Sequence, residues 1–155
     1  MADRVAIIAS KGTLDMAYPP LILASTAAAM GVEVGIFFTF YGLDIVNKKK
    51  YANLKVAPVG NPAMPMPVPN IIGMLPGMTA VATKMMKGMM KKANQPTVPE
   101  LIKVCAETGV KLWPCELTLQ VMSINPDDLI DEVEKSCGAA TFLEFALDAK
   151  VSLFI

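Results

Sequence analysis

The sequence predicts an α/β protein: a three-layer α/β/α arrangement around a mostly parallel sheet of four to five strands. Three observations carry this. Short apolar runs rich in β-branched residues recur along the chain, as in RVAIIA and VEVGIFFTF, and read as strands buried on both faces. Stretches with helical spacing separate them, and that alternation puts helices on the faces of a parallel sheet. Apolar residues make up 54% of the 155 positions and charged residues only 18%, so both sheet faces, or a subunit interface, must be covered. A chain of this length fits one domain spanning 1–155.

The elements follow in order. Arg4 to Ala9 is the first strand, ended by Ser10-Lys11-Gly12. Pro19-Pro20 suit the first turn of a helix, where a missing N–H costs nothing, so the first helix is expected over Leu21 to Met30 with Gly31 as its cap. The span from Ala17 to Val32 is too short and too rich in alanine for a membrane crossing and reads as a buried helix. Val32 to Phe40 is the second strand, joined to the first by a right-handed crossover. Leu43 to Lys49 follows as a short helix, closed by the cations Lys48, Lys49 and Lys50.

From Tyr51 to Pro76 six prolines forbid a long helix and a central strand alike, and a long loop is expected, with a short strand at Leu54 to Val59. Helical spacing resumes at Gly77 to Lys92, with Met78, Val81, Met85 and Met89 on one side and Lys84, Lys87 and Lys91 on the other. Loop and basic helix together form an insertion at about 51–95 that holds most of the methionines, residues suited to packing against irregular surfaces. Thr97 and Glu100 form a capping box opening a helix over Val98 to Thr108, which Gly109 ends. Val110 to Trp113 is the third strand, stopped by Pro114. Short helices follow at Glu116 to Met122 and after Asn125, then a helix over Ala139 to Ala149 and a last strand over Val151 to Ile155.

Composition excludes several functions. Basic and acidic residues both total 14, leaving no field to attract nucleic acid, and the absence of histidine removes Ser-His and Cys-His pairs and imidazole metal sites. No nucleotide-binding glycine motif occurs, and neither cofactor nor metal is expected. The three cysteines include no C-x-x-C pair, and MADRVAIIAS has too short an apolar run for a signal peptide, so reduced thiols and a cytoplasmic location are expected, with no integral membrane segment.

In an open parallel sheet the site lies beyond the carboxyl ends of the strands. Three segments reach that edge, and of these only Pro114-Cys115-Glu116 carries a nucleophile. Cys115, at a strand-to-helix turn, is expected to face the unpaired N–H groups of the next turn, which favour its thiolate; the alternative is a small apolar residue that simply fits. Lys11, Gly12 and Tyr41, with Glu116 and Thr118, are candidates to line a pocket around Cys115. Cys105 sits on the apolar face of its helix and reads as structural. Cys137, before Gly138, either approaches the same strand edge or lies in a loop, and also reads as structural.

The stretches FFTFYGLD (from Phe37), the basic helix ending MMKK, GVKLWPCELT (from Gly109) and GAATFL (from Gly138) closely resemble the DsrE/DsrF/DsrH-like family, over nearly the whole chain. The resemblance implies a carrier of persulfide or thiosulfonate sulfur on Cys115, with Thr118 three residues on as part of the shared pattern. It also implies exchange of sulfur with TusA-like or rhodanese-like proteins, and assembly as an oligomer. Pro114 departs from the small residue that relatives often have before the cysteine. A non-catalytic oligomeric binding or scaffold subunit with a passive Cys115 is the alternative.

Overall fold

β1 (Arg4–Ala9), β2 (Glu33–Phe38), β3 (Lys111–Pro114) and β4 (Val151–Phe154) form one sheet, all parallel, in the order β3-β2-β1-β4. They belong to a computed structural model that describes residues 3–57 and 75–155. The register pairs Ile7 with Ile36 and Ile36 with Leu112, so one face of three strands is continuously aliphatic. Helices α1 (Leu14–Ala29), α2 (Met78–Lys92) and α3 (Val98–Glu107) contribute to the larger core, with Leu21, Ile36, Phe38, Ile102 and Leu112 fully buried. Each such side chain contributes about 1.5–3 kcal/mol. The other face is thinner. Ala6, Phe37 and Cys115 pack there against Phe142 and Phe145 of α5 (Ala139–Leu147), which follows the short α4 (Glu116–Val121). Gly35 leaves room on that face: a Cβ there would press on Trp113 and Phe145.

The helix begins earlier than its prolines suggest. α1 starts at Leu14, and Pro19 and Pro20 lie inside it. Two intrahelical bonds are lost, a cost that the larger core offsets: Pro20 is buried, and the orphan N–H of Leu14 donates to the Lys55 carbonyl at 2.9 Å. β2 is shorter than expected, because the chain turns at Phe40 (φ 46) into a 3₁₀ helix over Phe40–Val46 that replaces the α-helix expected at Leu43 to Lys49. Leu54 to Ala57 is not a strand; the remainder of that expected strand, and the part of the expected long loop that falls on residues 58–74, lie outside the described residues.

α2 forms where the spacing placed it but turns a different face inward. Thr83 is buried, its Oγ1 accepting from the Val56 N–H at 3.1 Å and donating to the Thr79 carbonyl at 2.7 Å. That anchor brings Met86 and Met90 onto the core and leaves Val81, Met85 and Met89 exposed, the opposite of the expected apolar side. The capping box of α3 is present, with Glu100 held below the usual carboxylate range by the Thr97 backbone N–H and then its hydroxyl. Gly109, at φ +81, ends the helix in the left-handed conformation that only glycine adopts freely.

Candidate functional site

β3 alternates its bonding. The Cys115 N–H donates to the Phe38 carbonyl at 2.9 Å, while the carbonyls of Leu112 and Pro114 point away from β2 and accept from the N–H groups of Glu134 (2.8 Å) and Cys137 (3.0 Å). Proline at 114 therefore lacks its N–H on the outer side of an edge strand, where the loss is tolerated. It is the last residue of the strand rather than a stop just beyond it.

Cys115 continues the extended backbone (φ -72, ψ 117) for one more residue, and Glu116 then opens α4. Extension keeps Cys115 in register with Cys137, as an isolated parallel bridge completed by the Glu116 N–H donating to the Cys137 carbonyl at 3.0 Å. The sulfur accepts no capping bond, contrary to the expectation for a strand-to-helix turn. The side chain instead joins the smaller apolar cluster, 6% exposed, with Cys137 packed against it. Glu116 is exposed.

Thr118, three residues on, is 1% exposed and faces the end of β2. Its Oγ1 accepts from the Phe40 N–H at 3.0 Å and lies 3.2 Å from the Thr39 Oγ1. Phe40 is a bulky residue at positive φ, a conformation costing on the order of 1–3 kcal/mol, and this hydroxyl helps to hold it. Thr118 thus braces the turn after β2 against the helix that follows Cys115.

Lys11, Gly12 and Tyr41 come together as expected, but in a cavity of about 440 Å³ that also takes in Asp15 and Asp44 and is lined by neither Cys115, Glu116 nor Thr118. Close backbone approach builds it: a Cβ at Gly12 would collide with the Tyr41 carbonyl, and one at Gly42 with the Ala9 carbonyl. The five pocket candidates therefore divide into two groups at the same sheet edge.

Burial separates the thiols. Cys105 is wholly buried, its Sγ 3.5 Å from the Leu21 carbonyl oxygen, and desolvation pushes it up to about 11. Cys137 is partly exposed and is raised by burial, then by repulsion from Cys115 and Glu116. All three are free thiols. Of the two placements the sequence left open for Cys137, the strand edge or a loop, the structure takes the strand edge, and its register against Cys115 is what no local pattern gave. Among the described residues, no group of three or more Cys, Asp or Glu gathers as a metal site, and no helix is long and apolar enough to cross a membrane.

The chain is similar to known proteins along its full length. It is 48% identical over 158 residues to the Sulfur carrier protein DsrE2 of Allochromatium vinosum, covering 98% of both chains. It is 33% identical over 162 residues to the Uncharacterized protein YrkE of Bacillus subtilis, covering 98% of this chain and 96% of that one. The solved structure of a protein of unknown function, MTH1491 from Methanobacterium thermoautotrophicum, superposes with a TM-score of 0.56 at 12% identity over 99% of each chain, a likeness of fold. The model of the DsrE/DsrF/DrsH-like family matches residues 1–154, β1 through β4 with the cysteine turn between them, and the chain belongs to that family.

Proposed function

We infer that this protein is a sulfur carrier, holding sulfane sulfur on Cys115 as a persulfide or thiosulfonate and passing it to partner proteins by a sulfurtransferase-type reaction. The observation that carries the reading is Cys115 at the carboxyl end of β3, in a chain 48% identical end to end to a protein named as a sulfur carrier. The chemistry needs a thiolate to attack a donor's sulfane sulfur, then a partner's thiolate to take that sulfur away. The partners are TusA-like or rhodanese-like proteins. The carrier works in the cytoplasm, where its three free thiols stay reduced, and as a homo-oligomer of one domain with the segment of about 51–95 inserted. Lys11, Gly12 and Tyr41 receive the polar part of a donor in the cavity beside the site.

One observation favours a second reading, the non-catalytic scaffold subunit: Cys115 is 6% exposed and its sulfur has no capping donor. Under the carrier reading a donor reaches the sulfur only after its neighbours give way.

The two readings separate in one measurement. After exposure to polysulfide or tetrathionate and removal of the excess, the wild-type chain is expected to gain about 32 Da for a persulfide or about 112 Da for a thiosulfonate. Cys115→Ser, nearly isosteric but with a poor nucleophile, is expected to gain nothing while keeping its circular dichroism spectrum. Loading that persists in Cys115→Ser would leave Cys115 passive.

A further inference from the structure

We propose that Cys137 is the resolving thiol of Cys115: it discharges an unclaimed sulfane sulfur as hydrosulfide and leaves the two cysteines joined as a disulfide. The proposal rests on the carrier reading and deepens it. Its basis is the register. Cys115 and Cys137 are bridge partners in a parallel ladder, clamped on both sides by the Cys137 N–H to the Pro114 carbonyl (3.0 Å) and the Glu116 N–H to the Cys137 carbonyl (3.0 Å). Register partners on adjacent strands lie roughly 4.8 Å apart and point to one face. A disulfide requires Cα atoms about 4.4–6.8 Å apart, so this backbone is already within range. Both side chains belong to the same apolar cluster, and both are free. Cys105 is excluded: it lies in the larger core, on the other face of the sheet.

The step balances without an outside oxidant. The Cys137 sulfur attacks the Cys115 Sγ; a bond forms between the two cysteine sulfurs, and the bond from Cys115 to its sulfane sulfur breaks. The two cysteine sulfurs together lose two electrons, and the sulfane sulfur gains them. The Cys137 proton leaves with it, so perthiolate plus thiol gives disulfide plus hydrosulfide. Hydrosulfide is the conjugate base of a stronger acid than an alkyl thiol and so leaves more readily than Cys115 itself. Burial and the repulsion of Cys115 and Glu116 keep the Cys137 thiol protonated and slow, so a partner has time to collect the sulfur first. The disulfide then blocks reloading until a dithiol reductant opens it.

The test follows the full-length reduced chain by intact mass after a brief pulse of inorganic polysulfide. The wild type is expected to gain about 32 Da and then to pass to a species about 2 Da below the reduced mass, releasing one equivalent of hydrosulfide, with the Cys115 and Cys137 peptides joined in a non-reducing digest. Cys137→Ser, and Cys137→Ala as a check on folding, are expected to hold the added sulfur at least about tenfold longer and to form no joined peptide. Equal decay in wild type and both variants, with Cys115 loaded in all three, overturns the resolving role and leaves the carrier reading intact. Failure of the wild type to load at Cys115 overturns both.

Discussion

Cys105 is a buried core residue. Desolvation raises its thiol from the ordinary value of 9.0 to about 11, and a backbone hydrogen bond from Ser25 offsets this only in part. The folded chain therefore holds this proton more tightly than the unfolded chain. The resulting stability is complete below the unfolded value and is lost as pH rises toward the folded one. The expected outcome is a urea midpoint that falls between about pH 9 and 11 in the wild type, and falls less steeply in Cys105→Ala, whose midpoint at neutral pH is lower because of the lost packing. Parallel pH profiles for the two proteins would contradict this account. Thr118 shows the reverse relation of sequence to role: its place three residues after a cysteine suggests chemistry, while its hydrogen bond to the Phe40 N–H makes it a brace.

Elements form here through two kinds of cause, one local and one distant. α3 is the local case. Its N-terminal bonds all come from Thr97 and Glu100, with the Thr97 N–H 2.6 Å from a Glu100 carboxylate oxygen and the Glu100 N–H 3.4 Å from the Thr97 hydroxyl. Thr97→Ala is expected to cost about 1 kcal/mol in chemical denaturation, with an unchanged m-value, since it removes a cap without altering the surface exposed on unfolding. An unchanged denaturation midpoint would show that tertiary packing alone holds this helix end. α1 is the distant case: its first N–H is satisfied by Lys55, and the hydroxyl of its Tyr18 donates to the Pro96 carbonyl at 3.1 Å, so its start depends on segments far along the chain.

On the scale of the whole molecule, the sheet is unevenly covered. Among the described residues, the face carrying Cys115 is covered by α5 and its aromatic contacts, with Phe37 stacked on Phe142 at 4.8 Å between ring centroids. At the β4 end of the sheet, Leu143, Leu147 and Phe154 are 54%, 83% and 74% exposed. Three large apolar side chains on adjoining elements form the kind of patch that monomers rarely leave open. Light scattering at micromolar concentration is expected to give a multiple of the 16.6 kDa chain mass, and the double substitution Leu147→Asp, Phe154→Asp to reduce it to one chain with the spectrum of the folded protein. A wild type that scatters as a monomer would remove the homo-oligomer from the functional proposal.

The sequence by itself determined the existence of the four strands of the sheet, the α3 cap and the glycine that ends that helix, and it placed a cysteine at the carboxyl end of β3. These are features of period, turn chemistry and backbone freedom, which act within a few residues. Tertiary structure alone decided that α1 begins before its prolines, that α2 turns Thr83 and Met86 inward, that Lys11 and Tyr41 share a cavity lined without Cys115, and that Cys115 is buried in register with Cys137. Each of these depends on a partner far away in the chain: a carbonyl that satisfies an orphan N–H, a backbone amide that captures a hydroxyl, or a segment that returns to cover the edge of a strand. No local pattern encodes which distant segment returns, because burial and hydrogen-bond satisfaction are settled only when the whole sheet has closed.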